Sequence, residues 1–283
     1  MSIIKQLLCI FIVLFSASFF NLCYAQEELA KQSQNPLGAI ISLPFENNFY
    51  FGVGPSNSNA YALNFKPVYP VTFGHWNMIN RFIVPAIYST GQNFDPPPGG
   101  GIDLGYAEIA EMFRGSKFGL GDSTYQAFFS PVKPGKWTLG AGPAFVLPTA
   151  TTERYASDKW SAGFAAVALT MPGKWVVGGL IQNVWSFAGN KDAAKVNKFL
   201  AQYFINYNIA NGWYLSTTPV MTADWEADTN QRWTIPLGGG VGRLVKHGNQ
   251  AVDYKIAAYK NVEKPQFGPD WNLQLTVKFL FPK

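Results

Sequence analysis

The sequence predicts an all-β chain: a closed antiparallel transmembrane barrel of about twelve strands, preceded by a cleaved signal peptide. Three observations predict it. Apolar and polar residues alternate with period two over many segments, connections alternate between short and long, and no apolar run after residue 25 approaches the 18 residues a membrane helix needs. Charged residues make up 14%, well under the usual quarter, and aromatics 16%, yet mean hydropathy is +0.01. Two opposite faces that cancel on averaging explain that combination.

The first 25 residues have the form of a secretory signal. Lys5 gives a basic start, Leu7 to Phe20 an apolar stretch, and Cys23-Tyr24-Ala25 a small-residue cleavage site before Gln26. The bulky Leu22 before Cys23 does not fit a lipoprotein box. Cleavage of the 283-residue chain leaves 258 residues and removes both cysteines, Cys9 and Cys23. Lys5 goes with them, so 21 basic against 17 acidic side chains leave a net +4. That charge is too small and too scattered to suggest nucleic acid. The lack of thiols in the mature chain excludes a disulfide scaffold, a zinc–thiolate site and a cysteine nucleophile there.

Alternation is clearest at the C-terminus. Trp271, Leu273, Leu275, Val277, Phe279 and Phe281 take every second position, with Asn272, Gln274, Thr276 and Lys278 between them. The same pattern recurs at Tyr61, Leu63 and Phe65, at Tyr69, Val71 and Phe73, and from Phe199 to Ile209. Strands are expected near 39–53, 60–73, 76–89, 118–131, 137–150, 160–170, 175–187, 198–209, 213–225, 232–244, 251–260 and 271–281. Short turns fall at Gly74-His75, Lys133 to Lys136, Pro172 to Lys174, Ala210 to Gly212 and His247 to Asn249. Longer segments fall between them, so every short turn lies on one side of the sheet, as in outer-membrane barrels. A closed sheet leaves no unpaired edge in lipid. All nine tryptophans sit near strand ends, as two interface rings would require.

Prolines fit less simply. Pro44, Pro67, Pro70, Pro85, Pro131, Pro143, Pro148, Pro219 and Pro236 fall inside the expected strands. Proline has no ladder donor and is usually kept to edges or bulges, so bulges or locally frayed ladders are expected there.

The alternation assigns polar residues to the lumen. Lys66, Arg81, Asp122, Gln126, Gln182, Asn206, Asp253, Lys255 and Lys278 are the candidate pore-lining residues. Ser42, Glu46, Asn48, Asn64, Thr218 and Thr276 share that face. Lys66, Arg81, Lys255 and Lys278 would set the local field, with Asp122 and Asp253 opposing. This wall reads either as the lining of a narrow pore or as a hydrogen-bonded interior that fills the barrel, since twelve strands lie between filled and water-conducting sizes. The second long loop carries Asp103, Glu108 and Glu111; it either folds into the mouth as a constriction or packs as a helix on the rim. Residues 26–38 are a periplasmic or a plug segment, ahead of a barrel over 39–283.

Catalytic chemistry is sparse. The only histidines, His75 and His247, fall in separate turns, which suits neither a hydrolytic triad nor a histidine metal site. Gly99-Gly100-Gly101 lacks the Lys-Ser/Thr ending of a phosphate loop. No enzyme, metal or cofactor is expected. The expected partners are the lipid bilayer of the bacterial outer membrane, its insertion machinery and a small-molecule cargo.

A resemblance appears in several stretches. Glu28-Leu29-Ala30-Lys31-Gln32-Ser33-Gln34-Asn35-Pro36, Ile41-Ser42-Leu43-Pro44-Phe45-Glu46-Asn47-Asn48 and Gly52-Val53-Gly54-Pro55 resemble the opening of a family of bacterial outer-membrane proteins. They are often labelled "meta-pathway of phenol degradation" proteins or simply transporters, and some carry the label neuromedin U. Asn64 to Pro70, Trp76 to Arg81, Gly119 to Asp122 and the closing Leu280-Phe281-Pro282-Lys283 are similar too. The resemblance implies an outer-membrane barrel for uptake of small organic molecules, aromatic or hydrophobic ones among them. It brings no catalytic residues. A non-conducting structural or surface-interaction barrel is the alternative.

The C-terminal alternation also resembles the signal read by the outer-membrane insertion machinery, although Pro282-Lys283 follow the last aromatic. Replacing Phe279 and Phe281 with Asp is expected to block insertion. Membrane fractionation and heat-modifiable gel migration measure this, and a normal barrel in the membrane fraction would refute it.

Overall fold

The computed structural model describes residues 26–54, 57–89 and 117–282. The expected signal peptide and the loop residues Asp103, Glu108 and Glu111 lie outside the described residues. A short helix over 26–33 precedes the strands. Strand β1 is Ile41–Val53, and β2 comes in two pieces, Ser58–Phe65 and Val68–Phe73. They are followed by β3 (Trp76–Ser89), β4 (Lys117–Leu120 and Ser123–Pro131), β5 (Thr138–Leu147), β6 (Lys159–Thr170) and β7 (Trp175–Gly189). The second half is β8 (Asn197–Asn208), β9 (Trp213–Thr217 and Val220–Asp224), β10 (Trp233–His247), β11 (Gln250–Glu263) and β12 (Trp271–Phe281).

Each strand pairs antiparallel with its sequence neighbours. The last pairs with the first, from Ile41 opposite Phe281 to Phe51 opposite Trp271. The described sheet is thus a closed ring of twelve strands with no free edge. Short turns gather at one rim and longer connections at the other, which makes the first rim periplasmic.

The expected boundaries need four corrections. Strand β5 ends at Leu147, so Pro148 lies outside it. Strand β7 runs on to Gly189, and β11 to Glu263. His247 is the last residue of β10 rather than part of a turn. Three strands are broken at or beside prolines, because a residue without an N–H cannot complete the ladder. In β2 the break is Lys66-Pro67, bridged by Lys66 N donating to Pro44 O and Phe82 N to Pro67 O, both at 3.0 Å. In β4 it is Gly121-Asp122, where Gly121 N donates to Pro85 O at 2.9 Å. In β9 it is Thr218-Pro219, and the ladder to β10 skips from Ser216 opposite Gly240 to Thr222 opposite Thr234. Within that gap Thr217 Oγ1 donates to Gly238 O at 2.6 Å. Pro143 leaves a smaller gap between β4 and β5, and the register of β10 shifts at Pro236.

The outer face is apolar and aromatic. Phe164 is 74% exposed and Phe187 66%, and Trp76, Trp137, Trp175, Trp213, Trp160, Trp185 and Trp271 are exposed at strand ends. The inner face is divided, which corrects the expectation of a polar lumen throughout. Strands β1, β2, β11 and β12 turn Ser42, Asn48, Asn64, Lys66, Asp253, Gln274 and Thr276 inward. The arc from β3 to β8 instead turns Ile79, Phe128, Val146, Val167, Leu169, Leu180, Leu200 and Phe204 into one buried apolar cluster. Buried Thr124, Gln126, Ser161, Gln182 and Asn206 lie on the same arc, so its inner face mixes this cluster with polar positions.

Residues 26–40 pack against both halves near the periplasmic rim. Ala30 joins Leu244, Ala251 and Leu280, while Leu37 joins the apolar cluster of the opposite wall. Gly140 makes room for it, since a Cβ there would lie 2.7 Å from Leu37 Cδ2.

Gly163 sits where β6 and β7 approach closely, and a Cβ on it would lie 1.8 Å from Asn183 O. Backbone cannot swing aside as a side-chain tip can. Gly163→Ala is expected to destabilise the barrel by about 1–3 kcal/mol. Gly135→Ala, in a turn with open space, should be neutral. The temperature at which the folded gel band disappears separates the two; equal temperatures would refute the clash.

Candidate functional site

Adjacent strands bring the polar inner positions into rows. Lys255 lies opposite Thr276, and Thr276 opposite Glu46. One step toward the periplasm, Asp253 lies opposite Lys278 and Lys278 opposite Pro44. Lys66, at the break in β2, reaches Glu46, with Nζ 2.8 Å from Oε1. Lys278 Nζ lies 3.5 Å from Asp253 Oδ2. Asp253 also accepts from Tyr214 OH at 2.7 Å and Ser33 Oγ at 3.3 Å. Lys255 Nζ donates to Thr218 Oγ1 at 3.1 Å, and Thr218 N donates to Tyr259 OH at 3.3 Å.

These groups surround a cavity of about 190 Å³ inside the barrel. Of the nine candidate pore-lining residues, six line it: Lys66, Arg81, Asn206, Asp253, Lys255 and Lys278. Leu180 and Phe204 line its apolar side, and residues 32–36 its periplasmic end. A second cavity of about 80 Å³ lies on the extracellular side, between Asn48, Asn64, Tyr259 and Gln274. Glu46, Lys66 and Thr218 line both, so the Glu46–Lys66 ion pair stands between the two.

Three candidates are placed differently. Asp122, 5% exposed, accepts from Ser157 N at 2.8 Å and from Ala150 N at 3.1 Å. It braces the 148–157 connection rather than lining either cavity, because the break in β4 brings that loop over it. Gln126 and Gln182 bond to each other through Nε2 and Oε1, joining β4 to β7 across the interior. They fill space that the alternation alone would leave open.

Tyr214 and Ser33 were not singled out by sequence. Tyr214 shares the inward parity of Ser216 and Thr218, so alternation contained its direction. Nothing local in Ser33 signals a partner 220 positions away. The segment that carries it is held by three further contacts. Gln26 Nε2 donates to Leu244 O at 2.7 Å, Lys278 Nζ to Ser33 O at 2.7 Å, and Gln34 and Asn208 exchange amide hydrogen bonds at 2.9 and 3.2 Å. His247 Nε2 contacts Tyr254 OH at 3.2 Å at the periplasmic rim, while His75 occupies the β2–β3 turn. Among the described residues no three His, Cys, Asp or Glu side chains come together to hold a metal ion.

The fold is that of a solved structure, the COG4313 outer membrane channel from Pseudomonas putida F1, with a TM-score of 0.58 at 18% identity over 87% of this chain and 97% of that one. The toluene transporter TodX of P. putida aligns at a TM-score of 0.41 and 9% identity, covering 86% and 90%. OmpT of Vibrio cholerae aligns at 0.39 and 9%, covering 86% and 96%. No protein-family model matches the chain, and no curated protein sequence does. A closed barrel with an apolar outer face and this fold belongs in the bacterial outer membrane.

Asp253 ties β9, β12 and the N-terminal segment together. Asp253→Ala leaves Lys278 without its carboxylate, and losing one partner of such a buried pair costs about 3–5 kcal/mol. Residues 26–38 are expected to loosen, making Lys31 cleavable by trypsin in the folded barrel. Mass spectrometry of the digest checks this, and continued protection would count against the role of Asp253.

Proposed function

We propose that this barrel is an outer-membrane channel for small organic molecules, aromatic or hydrophobic ones among them. The observation that carries the reading is a pair of cavities in series inside a closed barrel, meeting at the Glu46–Lys66 ion pair. A solute would meet polar and charged groups on one side and Leu180, Phe204 and their neighbours on the other. Such a two-faced wall suits molecules that carry a small polar group on an apolar body. The outer membrane channel of P. putida shares the fold this reading requires. Residues 1–25 would direct export, and the tryptophans at the strand ends would sit at the two interfaces.

In this reading residues 26–38 close the periplasmic end, held by Ser33, Gln34 and Leu37, and must shift for passage. Selection would be steric and electrostatic, through Lys66, Arg81, Asn206, Asp253, Lys255 and Lys278. The alternative, a non-conducting structural barrel, is favoured by one observation: the Gln126–Gln182 bond across the interior.

The two readings differ in planar bilayers and liposomes. A channel is expected to conduct and to admit small solutes, with higher conductance once residues 26–38 are deleted. No conductance and no liposome swelling with any small solute, in either form, would leave the structural barrel.

A further inference from the structure

The larger cavity is not electrically balanced. Lys66, Arg81, Lys255 and Lys278 line it together with two carboxylates, Glu46 and Asp253. Lys66 is matched by Glu46 and Lys278 by Asp253. Both carboxylates are further engaged, Glu46 by Asn48 Nδ2 at 3.3 Å and Asp253 by Tyr214 and Ser33. Arg81 has a partner of its own, and Lys255 is left over. Its one hydrogen bond goes to Thr218 Oγ1 at 3.1 Å, and it forms no ion pair among the described residues.

An ammonium has three N–H donors, so two remain for an occupant. Away from bulk water, an unmatched positive charge favours an anion strongly. One carboxylate answers the free donors of one ammonium. On strands away from Lys255 the lining includes the apolar Leu180 on β7 and Phe204 on β8, with Gln202 and Asn206 beside Phe204. The space is about 190 Å³. An apolar cavity of about 150 Å³ holds one benzene, so a single ring with a carboxylate is the right scale.

The geometry points to a binding site for a small organic monocarboxylate in the lumen, its carboxylate on Lys255 Nζ and the Thr218 hydroxyl, its hydrocarbon part against Leu180 and Phe204. This deepens the channel reading and rests on it for its role, since the site would be the step at which passing molecules are sorted by charge. Neutral molecules of the same shape gain the apolar contact and an uncharged hydrogen bond, and cations meet three lysines and Arg81.

Benzoate, benzyl alcohol and benzylamine test this, because they are close in size and differ in the charge of the polar group. Calorimetric titration of the refolded full chain in detergent is expected to give saturable binding of benzoate, weaker binding of the alcohol and none of the amine. Lys255→Met is expected to weaken benzoate by about tenfold or more, the loss of a charge-assisted contact. Lys255→Arg, which keeps the charge, should retain saturable binding, and Thr218→Val should weaken it from the other donor. Heat-modifiable migration verifies that each variant is folded. Equal affinity for benzoate and benzyl alcohol, no saturable benzoate binding, or an unchanged affinity in Lys255→Met would overturn the site. Benzoate binding without flux through liposomes keeps the site and removes the channel. Flux without preference for benzoate keeps the channel and removes the site.

Discussion

In hydrocarbon, every backbone N–H and C=O must find its partner within the chain. That requirement closes the ring through the β1–β12 ladder, whose eleven residue pairs run from Ile41–Phe281 to Phe51–Trp271. It also sets what prolines can do. Where Pro67 and Pro219 interrupt β2 and β9, substitute hydrogen bonds appear: Lys66 N to Pro44 O, Phe82 N to Pro67 O, and Thr217 Oγ1 to Gly238 O. The breaks are not idle. Each places its polar neighbour, Lys66 or Thr218, on the inner wall where the two cavities meet.

The interior follows from a second balance. Charges removed from water need partners, and Glu46–Lys66 and Asp253–Lys278 supply them on the polar arc. On the opposite arc most inward side chains pack on one another and on Leu37, and the buried Asp122 and Lys198 find partners in Ser157 and Asp224. The N-terminal segment joins the two arcs by offering each what it can use. Its Ser33 hydroxyl and carbonyl meet Asp253 and Lys278, and its Leu37 fills the apolar side.

Where a strand has one polar and one apolar face, the sequence announces it. The alternation from Trp271 to Phe281 placed β12, and through it Lys278 and its neighbour Thr276. The arc from β5 to β7 has no such contrast. In β6, Ser161, Gly163, Ala165, Val167 and Leu169 point inward while Ala162, Phe164, Ala166 and Ala168 point outward, so parity carries little information there. The strands were still legible from turns and length, but the apolar inner wall was not. Asp122 shows a different limit. Its parity was right, yet its partners come from a connection some thirty residues on, and loop placement leaves no periodic trace. Prolines were a warning with an ambiguous address: they marked irregular ladder, but not whether a break, a shifted register or a strand end would result.

The divided wall also governs how far a charge inside it is felt. Side chains such as Leu180, Phe204 and Val167 polarise weakly, so field lines from the lysines opposite are turned into the open space instead of being absorbed by dipoles. A cavity of about 190 Å³ holds few mobile ions, so the screening that shortens such fields to about 8–10 Å in saline is largely missing within it. The apolar cluster thus works as insulation, and it leaves the field of the polar half far less sensitive to the salt outside than surface electrostatics would be.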